Sequence, residues 1–431
     1  MKRNLAIILS MVCILNFTAC SGKESEQVHM GSTIDEADIE AIFAPIHRSA
    51  EEEKSKEKPK KEIKQTVETP DTAESETERE PVEGVPIEYS HLFGTGDFDE
   101  NLVWTTYDEE YSELAQALYE YCEESVMGSV MLATDEDVIF AGGFNAKETD
   151  EETRVNPFTT YEIGSLTQQF TAAAIIQQIQ EGNLKGSDTL DKFFPEYPHG
   201  SEISVDNLLH MDSGIPDYIN DSMHFFIGRT AEGYEAFMNG QMPDEEILGY
   251  MNKAELLFEP GKKADSSNTN YYLLALILEQ VTGLTYEEYM QAYLLDACGL
   301  KSTSCVATDD LTCAPQGNGS TMAMGRVIRG AGDMHSNVCD VLIFNRELMG
   351  GRILDEEHLE YMTTARNEYA CGWFDAGGSS LGQYSSTDGY ICVNFIYRLE
   401  DENFYFVMMI PDRTKWSMPG NTMDVVESYL E

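Results

Sequence analysis

The sequence predicts a mixed α/β (α+β) fold: an antiparallel sheet flanked by terminal helices, with an inserted helical subdomain. Three observations carry this. Two hairpin patterns, 128–142 and 389–410, are rich in β-branched and aromatic residues and are split by the short polar turns Asp135-Glu136-Asp137 and Glu400-Asp401-Glu402-Asn403. Residues 204–363, between them, are mainly helical in pattern. One amphipathic helix precedes the first hairpin and another follows the second, so both ends of the ordered chain share one sheet and their helices cover one of its faces.

The chain of 431 residues has room for one large domain or two modest ones plus tails. Met1-Lys2-Arg3, an apolar run over 5–17 and Thr18-Ala19-Cys20 read as a secretory signal over 1–20, too short to span a membrane. Phe17-Thr18-Ala19-Cys20 resembles a bacterial lipoprotein box, which implies lipidation at Cys20; ordinary secretion with Cys20 as a stray thiol is the alternative. Residues 21–99 are an acidic tether, too poor in large apolar side chains to offset ordering entropy and expected to be disordered. It contains a basic block, Lys54-Ser55-Lys56-Glu57-Lys58-Pro59-Lys60-Lys61, and Ile34, Ile39, Ile42 and Phe43, enough for one weak helix.

Lys and Arg total 28 against 77 Asp and Glu, a formal charge of -49, so the surface repels nucleic acid and anionic lipid. Beyond Cys13 and Cys20, the seven cysteines Cys122, Cys298, Cys305, Cys313, Cys339, Cys371 and Cys392 match no zinc spacing. Cys298, Cys305 and Cys313 are close enough for one loop-stapling disulfide; buried free thiols are the other reading.

The folded domain is expected over 100–431. Tyr111, Leu114, Ala115, Leu118 and Cys122 mark its first helix. After the first hairpin a buried helix runs over 165–181, with Gly182 as its stop. A strong apolar helix over 271–281 is closed by Gly283, and Thr285-x-x-Glu288 is a capping box for the next. Asn421 is expected to cap a last helix through Leu430.

The stretch that organises the chain is Tyr161-Glu162-Ile163-Gly164-Ser165-Leu166-Thr167-Gln168, a loop entering the buried helix, with Ser165 as candidate nucleophile. Serine followed three residues later by glutamine is also a capping box, so a purely structural role stands beside the chemical one. With Leu208-Leu209-His210-Met211-Asp212-Ser213-Gly214-Ile215-Pro216-Asp217-Tyr218 and Phe258-Glu259-Pro260-Gly261, this stretch resembles the serine β-lactamase and penicillin-binding-protein family, in its esterase and D-alanyl-D-alanine peptidase branch, over roughly 105–430.

The resemblance implies a Ser-x-x-Lys, and Gln168 occupies the lysine position. Lysine can take a serine proton when neutral; an amide has nothing to titrate. The Tyr-x-Asn motif reads Ser266-Ser267-Asn268 here, keeping Asn268 but losing the phenol at Ser266. The third motif, Lys-x-Gly or His-x-Gly on a strand, falls on Leu381-Gly382-Gln383-Tyr384-Ser385-Ser386, with Gln383 for the base and Ser385 for the glycine, a change expected to narrow the cleft. The implied oxyanion donors are the backbone N–H groups of Ser165 and Ser386. Lys262, Lys263, His210 and His224 are the other basic groups considered, each better placed as a loop, packing or surface residue.

The expectation is therefore a degenerate serine hydrolase in the cell envelope, anchored to the membrane at Cys20, that binds a peptide or peptidoglycan-type ligand with impaired or no catalysis. Neither metal nor cofactor is implied. An active esterase or D-amino-acid peptidase with an unusual base is the alternative.

Overall fold

Period-two alternation on the two central strands sets the architecture. On β3 (Gly128–Thr134), Val130 and Leu132 face one side while Met131 and Ala133 face the other, and all are buried. On β11 (Asn403–Ile410), Phe404, Phe406, Met408 and Ile410 alternate in the same way with Tyr405, Val407 and Met409. A sheet apolar on both faces must be covered on both, which makes three layers. The computed structural model describes residues 85–146, 155–220, 231–305, 311–321, 325–377, 380–399 and 402–430. Cys20, the basic block, the weak helix expected in the tether and His224 lie outside them.

The main sheet has the order β1-β2-β4-β3-β11-β10-β9-β8-β7, every neighbour antiparallel. The remaining strands are β1 (Gly96–Phe98), β2 (Trp104–Thr106), β4 (Val138–Phe144), β7 (Tyr369–Ala370), β8 (Trp373–Gly377), β9 (Ser380–Ser386) and β10 (Ile391–Arg398). β11 pairs with β3, as Val407 opposite Met131 shows, so the first and last hairpins read from the sequence do share one sheet. Five of these strands, β1, β2, β7, β8 and β9, extend the sheet beyond the two hairpins read from the sequence.

Helices α1 (Ser112–Ser125) and α11 (Met418–Leu430) cover one face, with Leu114, Leu118, Cys122, Met423 and Val426 on Phe140, Phe406 and Met408. α11 begins at Met418, so Asn421 lies inside its first turn rather than capping it. On the other face lie α2 (Thr167–Gln180), α3 (Val205–Leu209), α4 (Ala231–Met238), α5 (Asp244–Met251), α6 (Asn268–Thr282), α7 (Tyr286–Met290), α8 (Asp296–Cys298), α9 (Val338–Met349) and α10 (Glu356–Thr363). A π turn, Gln291–Leu295, joins α7 to α8. The capping box of Thr285 and Glu288 is present, and Gly283 ends α6 at φ 74°. A two-stranded ladder of β5 (Tyr161–Glu162) and β6 (His335–Ser336) ties the chain before α2 to the chain before α9.

The folded part begins earlier than residue 100. A 3₁₀ turn, Ile87–Leu92, buries Tyr89, Leu92 and Phe93, and the Tyr89 hydroxyl donates to Asp340 Oδ1 and lies 2.8 Å from Ser302 Oγ. Tyr89, Leu92 and Phe93 supply the buried apolar area that orders this segment, while Ile87 stays exposed.

Candidate active site

α2 is buried almost all round, from Thr167 through Ile176, because alanine at 172–174 lets the sheet and α6 approach it. Its entry is a 3₁₀ turn, Gly164–Leu166, in which Gly164 has φ 49° and a Cβ would stand 2.2 Å from Ser385 Oγ. Ser165 sits half-buried on this turn. Neither the turn nor α2 has a side-chain N-cap, so Ser165 and Gln168 do not form a capping box.

Gln168, Asn268 and Gln383 come together from α2, α6 and β9. The Gln168 Nε2 group donates to Ala331 O at 3.3 Å and Asn268 Oδ1 at 3.5 Å. Its Oε1 accepts from the Tyr369 hydroxyl at 3.0 Å and Gln383 Nε2 at 3.4 Å. Gln383 Nε2 also donates to Gly372 O at 3.1 Å, and its Oε1 accepts the N–H of Tyr384 at 3.0 Å. All four bonding capacities of the Gln168 amide are spent inside the protein. Among the described residues, no hydrogen bond reaches the Ser165 hydroxyl.

Two members of this network were not read from the sequence as site residues. Tyr369 comes from a two-residue strand, 201 positions from Gln168, and no local pattern marks it. Burial above all pushes its phenol well above the ordinary tyrosine value, so it acts as a neutral donor. Asp217 accepts the N–H of Asn268 at 3.1 Å and its Nδ2 at 2.7 Å, holding the side chain and placing a carboxylate at the start of α6. Its place in the loop before Tyr218, which follows Ile215-Pro216, was the available signal.

Ser266 is exposed at the end of the preceding loop, while Ser267 is buried. Ser385 is 2 % exposed, and its Oγ accepts the Ser165 N–H at 2.9 Å. Of the two donors expected to form an oxyanion hole, the one at Ser165 is thus already engaged; Ser386 closes β9 with its side chain exposed. Among the described residues β8 pairs with β9 only as far as Gly382, so 383–386 have no strand partner on that side, and the Ser165 turn packs against Ser385.

The other basic groups stand apart. Lys263 pairs with Asp265 at 2.8 Å and lies over the Phe258 ring; Lys262 is 3.9 Å from Glu259. His210 is buried, its Nδ1 3.2 Å from Asp206 Oδ1 and its Nε2 3.7 Å from Cys371 Sγ. Burial alone would depress the imidazolium; the Cys371 sulfur and the Asp206 carboxylate outweigh it and raise His210 above its ordinary value. The seven cysteines from Cys122 to Cys392 are all free thiols, so no disulfide joins Cys298, Cys305 or Cys313. Among the described residues there is no metal-binding cluster, and no helix is long and apolar enough to cross a membrane.

The Beta-lactamase family model matches residues 122–390. The chain belongs to the beta-lactamase family. It is 25 % identical over 276 residues to "Putative penicillin-binding protein PbpX" of Bacillus subtilis (strain 168), covering 61 % of this chain and 66 % of that relative. Alignments with two other curated relatives span 35 % and 37 % of their lengths. In structure it is similar to a penicillin binding protein from Bacillus halodurans, with TM-score 0.60, 19 % identity and coverage of 73 % of this chain and 99 % of the other. It is also similar to the D-amino acid amidase of Ochrobactrum anthropi SV3 complexed with D-phenylalanine, with TM-score 0.58, 20 % identity and coverage of 74 % and 99 %. At those identities the structural likeness is one of fold. At the positions expected to carry the motifs, amides stand at 168 and 383, and hydroxyls at 266 and 385.

Proposed function

We propose that this chain is an extracytoplasmic, lipid-anchored member of the family that binds a peptide or peptidoglycan-type ligand without cleaving it. The observation that carries this is the Gln168 amide, whose four hydrogen bonds go to Ala331, Asn268, Tyr369 and Gln383 and none to Ser165. A positioned base contributes about 10² to 10⁴-fold, and residues acting as a unit are lost together. Tyr369 does not replace it, since its phenol is held neutral.

The ligand class rests on the half-edge of β9 that has no strand partner among the described residues, onto which an extended peptide can pair as an added strand. The names of the relatives, penicillin-binding proteins and a D-amino acid amidase, favour a D-amino-acid peptide. The amino-terminal signal and Cys20 supply the address and the anchor. The purified chain from residue 85 onward, treated with fluorescent penicillin or a fluorophosphonate, is expected to carry no covalent label. Label on Ser165 that disappears in Ser165→Ala would overturn the reading.

A slow serine hydrolase is the second reading, favoured by the retention of Ser165 half-exposed on its turn. It requires turnover of nitrophenyl esters that is abolished by Ser165→Ala.

A further inference from the structure

We propose that Ser385 and Gln383 are internal occupants of the cleft. The Ser385 hydroxyl sits on the Ser165 N–H and the Gln383 amide oxygen on the Tyr384 N–H, so the protein caps the donors an incoming carbonyl would use and thereby sets which ligands enter. The proposal rests on the cleft being a noncatalytic peptide site.

Two independent hydrogen bonds carry it. The Ser165 N–H donates to Ser385 Oγ at 2.9 Å, and the Tyr384 N–H donates to Gln383 Oε1 at 3.0 Å. The first closes the donor beside the candidate nucleophile. The second lies on the strand edge itself: Tyr384 gives its N–H to a side chain rather than to β10, and strand alternation puts the Ser386 N–H on the same edge. Past Gly382 that edge has no strand partner among the described residues, so its donors would face a ligand.

Both caps are held firmly. A Cβ at Gly164 would meet Ser385 Oγ at 2.2 Å and Thr387 Cγ2 at 2.6 Å, so the turn is packed directly against the hydroxyl. Gln383 is pinned through its Nε2 by Gly372 O and Gln168 Oε1, which leaves its oxygen aimed at Tyr384. Both capping residues stand where the family motif has a base and a glycine, neither of which can accept these bonds when charged or lacking a side chain. A ligand anchored by a carbonyl on the Ser165 N–H is excluded; one that pairs with the outer end of β9, through Ser386 N–H and Tyr384 C=O, is admitted.

The test is amide hydrogen exchange at Ser165 and Tyr384, followed by NMR in protein labelled with ¹⁵N-serine and ¹⁵N-tyrosine, in the natural protein, Ser385→Ala and Ser385→Gly. Loss of one hydrogen bond should speed Ser165 exchange about tenfold in both variants and leave Tyr384 unchanged. Ser385→Ala keeps the Cβ and guards against a strand loosened by glycine. Calorimetric titration with acetyl-D-alanyl-D-alanine amide should show about tenfold tighter binding to Ser385→Gly than to the natural protein. Equal Ser165 exchange in all three proteins, or equal affinity in natural protein and Ser385→Gly, overturns the proposal. Ester turnover by the natural protein that Ser165→Ala abolishes would overturn the noncatalytic reading instead, and the exchange rates would still decide the caps.

Discussion

At the scale of the residue, the departure from the family pattern is not a simple deletion of a base. Gln168 is 3 % exposed and binds four partners through both ends of its amide, so the substitution comes with a neutral network built around it. Such a network is costly to break in part, because each stranded buried group loses its full solvation. Gln168→Leu, close in volume but apolar, takes the acceptor from the Tyr369 hydroxyl and the donor from Ala331 O and Asn268 Oδ1, while Gln383 Nε2 keeps Gly372 O and the Tyr369 oxygen. Its expected cost is about 2–4 kcal/mol, read as a lower urea midpoint at unchanged slope. A midpoint equal to that of the natural protein would mean that the amide contributes nothing to the fold. The positions of Gln168, Asn268 and Gln383 were legible in the sequence because motif order along the chain fixes them. Tyr369 was not, since a phenol delivered by a two-residue strand leaves no periodic trace. The cleft-narrowing effect of Ser385 was legible as bulk, but the bond from the Ser165 N–H depends on the φ of Gly164, which composition does not encode.

At the scale of the element, long and periodic segments were readable and short ones were not. The pattern at Leu114, Leu118 and Cys122 and the Gly283 stop announced α1 and the end of α6 because burial and backbone freedom impose them locally. Strands β1 and β7, three and two residues long, are held by their neighbours, and so is the 3₁₀ turn Ile87–Leu92. That turn is a strap: Tyr89 stacks on Phe158 and bonds Asp340, and Asn337 Nδ2 donates to the Tyr89 oxygen at 3.1 Å while also reaching Phe158 O. Burial foremost raises the Asp340 carboxyl above its ordinary value, and the hydrogen bonds from Tyr89 and Thr303 oppose that rise. Tyr89→Phe should therefore cost about 1–3 kcal/mol and Tyr89→Ala about 3–5 kcal/mol. Chemical denaturation measures both. Equal losses for the two variants would show that the hydroxyl alone matters and that ring packing is idle; no loss in Tyr89→Phe would show the reverse.

At the scale of the whole molecule, a three-layer scaffold of the beta-lactamase family carries amides at 168 and 383 and a hydroxyl at 385 close to the Ser165 turn, which makes restoration a test of the scaffold. Gln168→Lys places an ammonium where Ala331 O and Asn268 Oδ1 already accept from Nε2, so the new group has two acceptors waiting. Ser266→Tyr adds a phenol from an exposed position with room for it, and Gln383→His removes the cap on Tyr384. These three changes supply proton acceptors but leave Ser385 on the Ser165 N–H, so a developing oxyanion would still lack one of its two donors. Losing one such donor costs about 10² to 10³-fold in rate. The triple variant is therefore expected to label with fluorescent penicillin no better than the natural protein, and the quadruple variant with Ser385→Gly added is expected to label. Its rate should rise with pH, because a lysine acts as base only after losing its proton, and burial without a carboxylate partner lowers the pH at which it does so. Labelling of the triple variant as fast as the quadruple one would show that Ser385 yields its seat to substrate. Absence of labelling in both, with folding intact by circular dichroism, would show that the cleft has changed in more than the four side chains that mark it.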